Sequence, residues 1–239
     1  MPKITPNYSP NFSPKRRISK NIKYIVIHYT GMANEKKAID RLTDKKSKVS
    51  SHYFIKNNGE VILLVPESYV AWHAGKSNWK NIKSLNKFSI GIEIHNKGHD
   101  HGYNKFTRAQ INSTIFLCKK LVKKYKISNG NILGHSDIAY NRKKDPGEKF
   151  PWKILAKNKI GKWHHLDQKK LIKLREVKIF PTEKKCMLEK LKKIGYSIKA
   201  GNHNLIKLIK AFQRRYRPEL INGKIDKECL LIVKKIRQL

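Results

Sequence analysis

The chain has 239 residues, 39% of them hydrophobic, with 54 Lys and Arg against 17 Asp and Glu and a formal net charge of +37. That length suits one well-buried domain and a smaller second one, and no apolar run approaches the ~20 residues that cross a bilayer as a helix. The charge invites a nucleic-acid reading, but the cations are 44 Lys against 10 Arg, spread as 38 basic against 12 acidic residues before position 181 and 16 against 5 after it. Specific phosphate and base readout favours the arginine fork, so no specific nucleic-acid partner is expected.

Residues 1–20, with prolines at 2, 6, 10 and 14, read as a flexible arm. The basic residues Lys15, Arg16 and Arg17 are not followed by an apolar stretch, so a standard secretion signal is not expected. Cys118, Cys186 and Cys229 lie far apart without CxxC spacing and read as reduced thiols. Both features point to a cytoplasmic setting; a periplasmic or secreted one, by a non-standard route, stays open.

The β-branched run at residues 22–28 predicts a strand ended by Thr30-Gly31, and residues 35–48 predict a helix with Ala38, Ile39 and Leu42 inward. Two apolar runs around Asn57-Asn58-Gly59-Glu60 predict a hairpin. An irregular stretch over 66–87 carries Trp72, His73 and Trp79. Residues 89–95 predict a buried strand, and residues 107–125 a helix with Thr107 as N-cap. A short strand over 131–134 runs into a loop bounded by Gly134 and Gly147. The alternation of strands and helices predicts an α/β domain over residues 21–165. A linker at 166–181 and three helices within 182–239 follow, punctuated by Gly195 and Gly223.

His28 closes the first strand, and His135 and Asp145 share the loop after the fifth. Singly, each has a plain reading: a packed histidine, or a turn at Asp-Pro-Gly. Together, two imidazoles and a carboxylate make a three-ligand zinc site that leaves a position for water. Glu93, on an otherwise apolar strand, reads as a general base or as a salt-bridged edge residue. Lys143 reads as an oxyanion stabiliser or as one more surface lysine. Trp72, His73, Trp79 and Asn96 are candidate substrate contacts along a cleft, with His73 equally readable as packed.

The segments Val26-Ile27-His28-Tyr29-Thr30, Ser50-Ser51-His52-Tyr53, Ala71-Trp72-His73-Ala74-Gly75, Ser89-Ile90-Gly91-Ile92-Glu93 and Gly134-His135-Ser136-Asp137 through Lys143 to Asp145-Pro146-Gly147 give the chain a family likeness. It resembles the zinc-dependent N-acetylmuramoyl-L-alanine amidases of the type 2 amidase and peptidoglycan-recognition-protein superfamily, AmiD/AmpD branch. The C-terminal helices, with Ala211 to Pro218 and Asn222 to Asp226, resemble a peptidoglycan-binding helical domain.

The resemblance implies a mixed central β-sheet flanked by helices, plus a small C-terminal three-helix domain. It implies one Zn²⁺ on His28, His135 and Asp145, Glu93 as acid/base and Lys143 at the oxyanion. The reaction would cut the amide between N-acetylmuramic acid, including its 1,6-anhydro form, and L-Ala of a stem peptide, in wall turnover or recycling. The alternatives are a catalytically silent peptidoglycan-recognition module and a basic nucleic-acid-binding protein. Tyr140 departs from the family, which often has proline there.

Overall fold

The computed structural model describes residues 2–236. A six-stranded mixed sheet runs in the order β1 (Ile4–Pro6), β5 (Val61–Leu63), β4 (Tyr53–Ile55), β9 (Ser89–Ile94), β3 (Tyr24–Tyr29), β10 (Ile132–Gly134). Within this sheet only β4 and β5 pair antiparallel, as the Asn-Asn-Gly hairpin predicts; Gly59 takes the positive φ of 86° that this turn needs. The other pairs are parallel, so β3, β9 and β10 all end at the same edge. His28 lies in register with Glu93, and Gly134 with Ile27.

Strand periodicity then sorts the side chains. Ile25, Ile27, Ile90, Ile92, Ile94 and Ile132 form one face, packed against Ile111, Leu117, Cys118 and Leu121 of α2 (Arg108–Tyr125). Thr107 caps that helix and exchanges hydrogen bonds with Gln110. The opposite face carries Tyr24, Val26, His28, Gly91 and Glu93. It is covered at one end by α1 (Glu35–Thr43), through Ala38 and Leu42 on Phe54 and Leu64. At the other end lie the C-terminal helices α6 (Pro181–Ile194), α7 (Asn202–Tyr216) and α8 (Lys227–Lys235). Between these covers the sheet is open.

Two short antiparallel pairs, β2 (Phe12–Ser13) with β6 (Val70–Ala71) and β7 (Asn78–Trp79) with β8 (Ile82–Lys83), order the stretch before β9. The turn α3 (His135–Ile138) follows β10 directly, and α4 (Trp152–Lys157) and α5 (Gln168–Leu174) follow in chain order. No described helix is long and apolar enough to cross a membrane.

Three expectations change. Residues 4–6 and 12–13 are not a free arm: β1 pairs with β5, and Pro6 sits on an edge strand where its missing N–H costs nothing. Asn11 is 1% exposed and donates to the carbonyls of Asp44 and Val49. The expected linker contains α5, started by Asp167 accepting from Lys170 N–H and anchored by buried Leu171 against α8. The first helix stops at Thr43, because Asp44 turns out to cap a short 3₁₀ turn. The last helix closes at Lys235, and the part of the expected three-helix region beyond residue 236 lies outside the described residues.

Replacing Asn11 with Ala removes a donor from both carbonyls; Asp44 keeps the N–H and O–H of Ser47, while Val49 is left with only a 3.5 Å contact to Ser47 Oγ, and the expected cost is about 1–3 kcal/mol. A lower urea midpoint at unchanged m is the expected reading; a loss below about 0.5 kcal/mol would mean the segment is not bound.

Candidate metal centre

The sheet edge where β3, β9 and β10 end is the floor of a cleft of about 560 Å³, lined among others by His28, Trp72, His73, Glu93, His135, Lys143 and Asp145. His28 projects from β3 and Glu93 from its register partner on β9. His135 opens α3 immediately after β10, and the loop returns Asp145 beside it through Ser136 N–H donating to the Asp145 carbonyl at 2.8 Å.

His28 Nδ1 and His135 Nδ1 are 2.9 Å apart, and each is 3.0 Å from Asp145 Oδ2. Among the described residues this is the one group of three or more His, Cys, Asp or Glu side chains so placed. A tetrahedral ion with bonds of ~2.0–2.1 Å needs donors ~3.3 Å apart, so the triangle fits Zn²⁺ after opening by a few tenths of an ångström.

Hydrogen bonds behind the rings fix which nitrogen faces the site. The Leu85 carbonyl can only accept, so Ser89 donates its O–H there, at 2.7 Å. Ser89 Oγ then accepts from His73 Nε2 at 3.2 Å, which leaves His73 Nδ1 to accept from His28 Nε2–H at 3.0 Å. The His28 Nδ1 lone pair therefore faces the triangle. His135 Nε2–H likewise donates to the Ala74 carbonyl at 3.1 Å. Burial, followed by the charge a protonated His135 would carry, lowers His28 to about 4, so it is neutral and ready to donate its lone pair. Burial alone would raise Asp145, but His135 and His28 outweigh it and hold the carboxyl well below its usual range.

Glu93 is part-exposed at the cleft, yet its Oε2 is buried and lacks a hydrogen-bond partner among the described residues. Burial first and Asp145 second push it up to about 8, against the opposing charge of Lys143. That is the range of a group that takes and returns protons near neutrality. Lys143 is half-buried on the same cleft.

The candidate substrate contacts divide. Trp72 stays on the cleft wall, with its indole N–H on Ser13 Oγ at 3.2 Å, and His73 lies behind His28 as described. Trp79 is not a wall: it is 2% exposed and packs edge-on to Tyr196 at 4.8 Å. Room for it exists because Gly195 lacks a Cβ, which would lie 2.4 Å from the indole. Asn96 is also buried away from the cleft and ties its own loop, donating to the Asn104 carbonyl and accepting from Gly98 N–H.

Arg142 escaped sequence reasoning. It lines the cleft and donates to the carbonyls of Ala74 and Lys76, stapling the His73 loop to the His135 loop. In sequence it is only one cation of a three-residue run.

The family described as N-acetylmuramoyl-L-alanine amidase matches residues 18–148. The chain is 37% identical over 225 residues to N-acetylmuramoyl-L-alanine amidase AmiD of Escherichia coli (strain K12), spanning 88% of this chain and 80% of that relative. It is similar to the solved complex of that AmiD with anhydro-N-acetylmuramic acid-L-Ala-D-gamma-Glu-L-Lys (TM-score 0.78, 35% identity, 94% of this chain and 91% of that one). It is also similar to AmpDh3 of Pseudomonas aeruginosa in complex with anhydromuramic pentapeptide (TM-score 0.80, 31% identity, 94% and 93%).

A Cβ on Gly91 would fall 2.4 Å from His73 Cγ. Gly91→Ala must therefore displace the imidazole that holds His28, and affinity for a divalent cation is expected to fall about 10–100-fold. Chelator competition reads this directly; unchanged affinity would mean that His73 does not orient the site.

Proposed function

The chain belongs to the N-acetylmuramoyl-L-alanine amidase family, and from that membership we propose that it hydrolyses the amide joining the lactyl group of N-acetylmuramic acid to L-Ala of a stem peptide. Both the 1,6-anhydro sugar and the ordinary one fall within this reading, which places the enzyme in cell-wall turnover or recycling. Relatives bound to anhydromuramyl peptides support the substrate class. The observation that carries the reading is the triangle of buried donors sharing one cleft with Glu93, whose Oε2 has no hydrogen-bond partner among the described residues.

His28, His135 and Asp145 are the proposed holders of one Zn²⁺. When bound, the ion acidifies water and polarises the amide carbonyl as a Lewis acid. The chain's own groups do the rest. His28 and His135 present lone pairs, and Asp145 supplies the negative charge of the triangle. Glu93 takes a proton from the attacking water on a carboxylate oxygen and returns it to the departing L-Ala nitrogen. The carbon–nitrogen bond breaks, leaving a carboxylate on the lactyl group and an amine on the peptide. Lys143 faces the carbonyl oxygen as it gains negative charge. Trp72 offers a wall for the sugar or peptide.

Glu93→Gln keeps the shape and removes the proton carrier. It is expected to lower kcat about 10²–10⁴-fold at unchanged metal content. Lys143→Met is expected to lower kcat about 10²–10³-fold. Both are read by mass spectrometry of products from defined anhydro and ordinary muropeptides. Wild-type chain should release an L-Ala-initiated peptide, lose that activity to a chelator and regain it with Zn²⁺. No release from Zn²⁺-loaded protein on either sugar would overturn the reading.

A further inference from the structure

We infer that the C-terminal helices hold the metal centre in shape: Tyr196, which follows α6, and Arg215 of α7 are positioning residues that act on His135 through Asp137. The inference rests on the proposed metal centre. It gives the C-terminal unit a role beyond holding glycan or peptide.

Asp137 lies two residues after His135 and is 1% exposed. Its Oδ2 accepts from Gly134 N–H at 2.8 Å, closing the turn that carries His135. The same oxygen accepts from Arg215 Nη1, and Oδ1 accepts from Tyr196 O–H at 2.6 Å. Arg215 also donates from Nη2 to the Ile132 carbonyl at 2.9 Å, so a single guanidinium grips the chain on both sides of His135. That guanidinium is 4% exposed and lies 4.0 Å over the Trp152 ring.

The turn has little slack. A Cβ on Gly134 would lie 2.8 Å from Pro146 Cδ and 3.3 Å from Trp152 Cζ2. Gly134 is therefore wedged between the Asp145-Pro146 segment and the indole that Arg215 covers. Without Arg215 and Tyr196, Asp137 would be a buried carboxylate with one backbone donor, a state that favours opening the turn to water. Opening it moves His135 Nδ1 relative to His28 and Asp145. A module attached only to bind wall polymer needs no buried ion pair with the turn that bears a ligand.

The test is the Zn²⁺ dissociation constant of the full chain, by competition with a chromophoric chelator, beside the melting temperature of the metal-free protein. Tyr196→Phe and Arg215→Lys are compared with Ile209→Ala, which opens a hole in the same apolar cluster on α7 without a polar contact to Asp137. The two polar variants are expected to bind Zn²⁺ about tenfold more weakly, while Ile209→Ala loses melting temperature but stays within about twofold of wild type in affinity. Wild-type affinity in both polar variants, or an equal loss in Ile209→Ala, would overturn the inference. Wild-type chain that binds no Zn²⁺ would overturn the metal reading itself, a separate outcome because the variants are judged only against a wild type that binds.

Discussion

His28, His135 and Asp145 touch one another at 1%, 3% and 5% exposure. Taking a polar group out of water without a match costs roughly 2–7 kcal/mol, so the two imidazoles must be satisfied from behind while Asp145 is met by them. The chain meets this largely with backbone and small polar groups, with the Arg142 guanidinium 3.3 Å from the outer nitrogen of His135. Ala74 takes the outer nitrogen of His135, and His73 takes that of His28 and passes the constraint through Ser89 to the Leu85 carbonyl. Both imidazoles therefore turn the same nitrogen inward. The triangle ends up with two lone pairs and one negative charge, the donor set that suits a borderline-soft divalent ion.

The sheet delivers these groups. Three parallel strands ending at one edge bring residues more than 100 positions apart into contact, and strand periodicity gives the cleft His28 and Glu93 while giving Ile27, Ile92 and Ile94 to the core under α2. Gly91 belongs to the same pattern: a side chain there would occupy the space of the His73 ring. The site is thus bounded by rigid strands below and by two loops above, which Arg142 ties together.

Much of this was legible in the sequence, for a physical reason. His28, Glu93, His135 and Asp145 stand at strand ends or in a Gly- and Pro-bounded loop, where local pattern and residue type both speak. The Asn-Gly hairpin and the Thr107 cap were equally local. What the sequence hid depends on distant partners. Trp79 looks like a cleft aromatic until Gly195, 116 positions on, makes room for it in the core. Asn96 looks exposed and polar, but its own loop folds back to take its amide. The proline-bearing N-terminus reads as free chain, yet Ile4–Pro6 find an open strand edge at β5. Arg215 sits among the last cations of a lysine-rich chain, and only the fold reveals that it grips both sides of the His135 turn.

The most direct test of the account is an anomalous difference map collected at the zinc absorption edge, from crystals of protein purified without chelators and supplied with Zn²⁺. The account predicts one strong peak ~2.0–2.2 Å from His28 Nδ1, His135 Nδ1 and an Asp145 carboxylate oxygen, with Glu93 facing it across the cleft. A peak on other residues, such as His99 and His101, or no peak in the triangle, would contradict it.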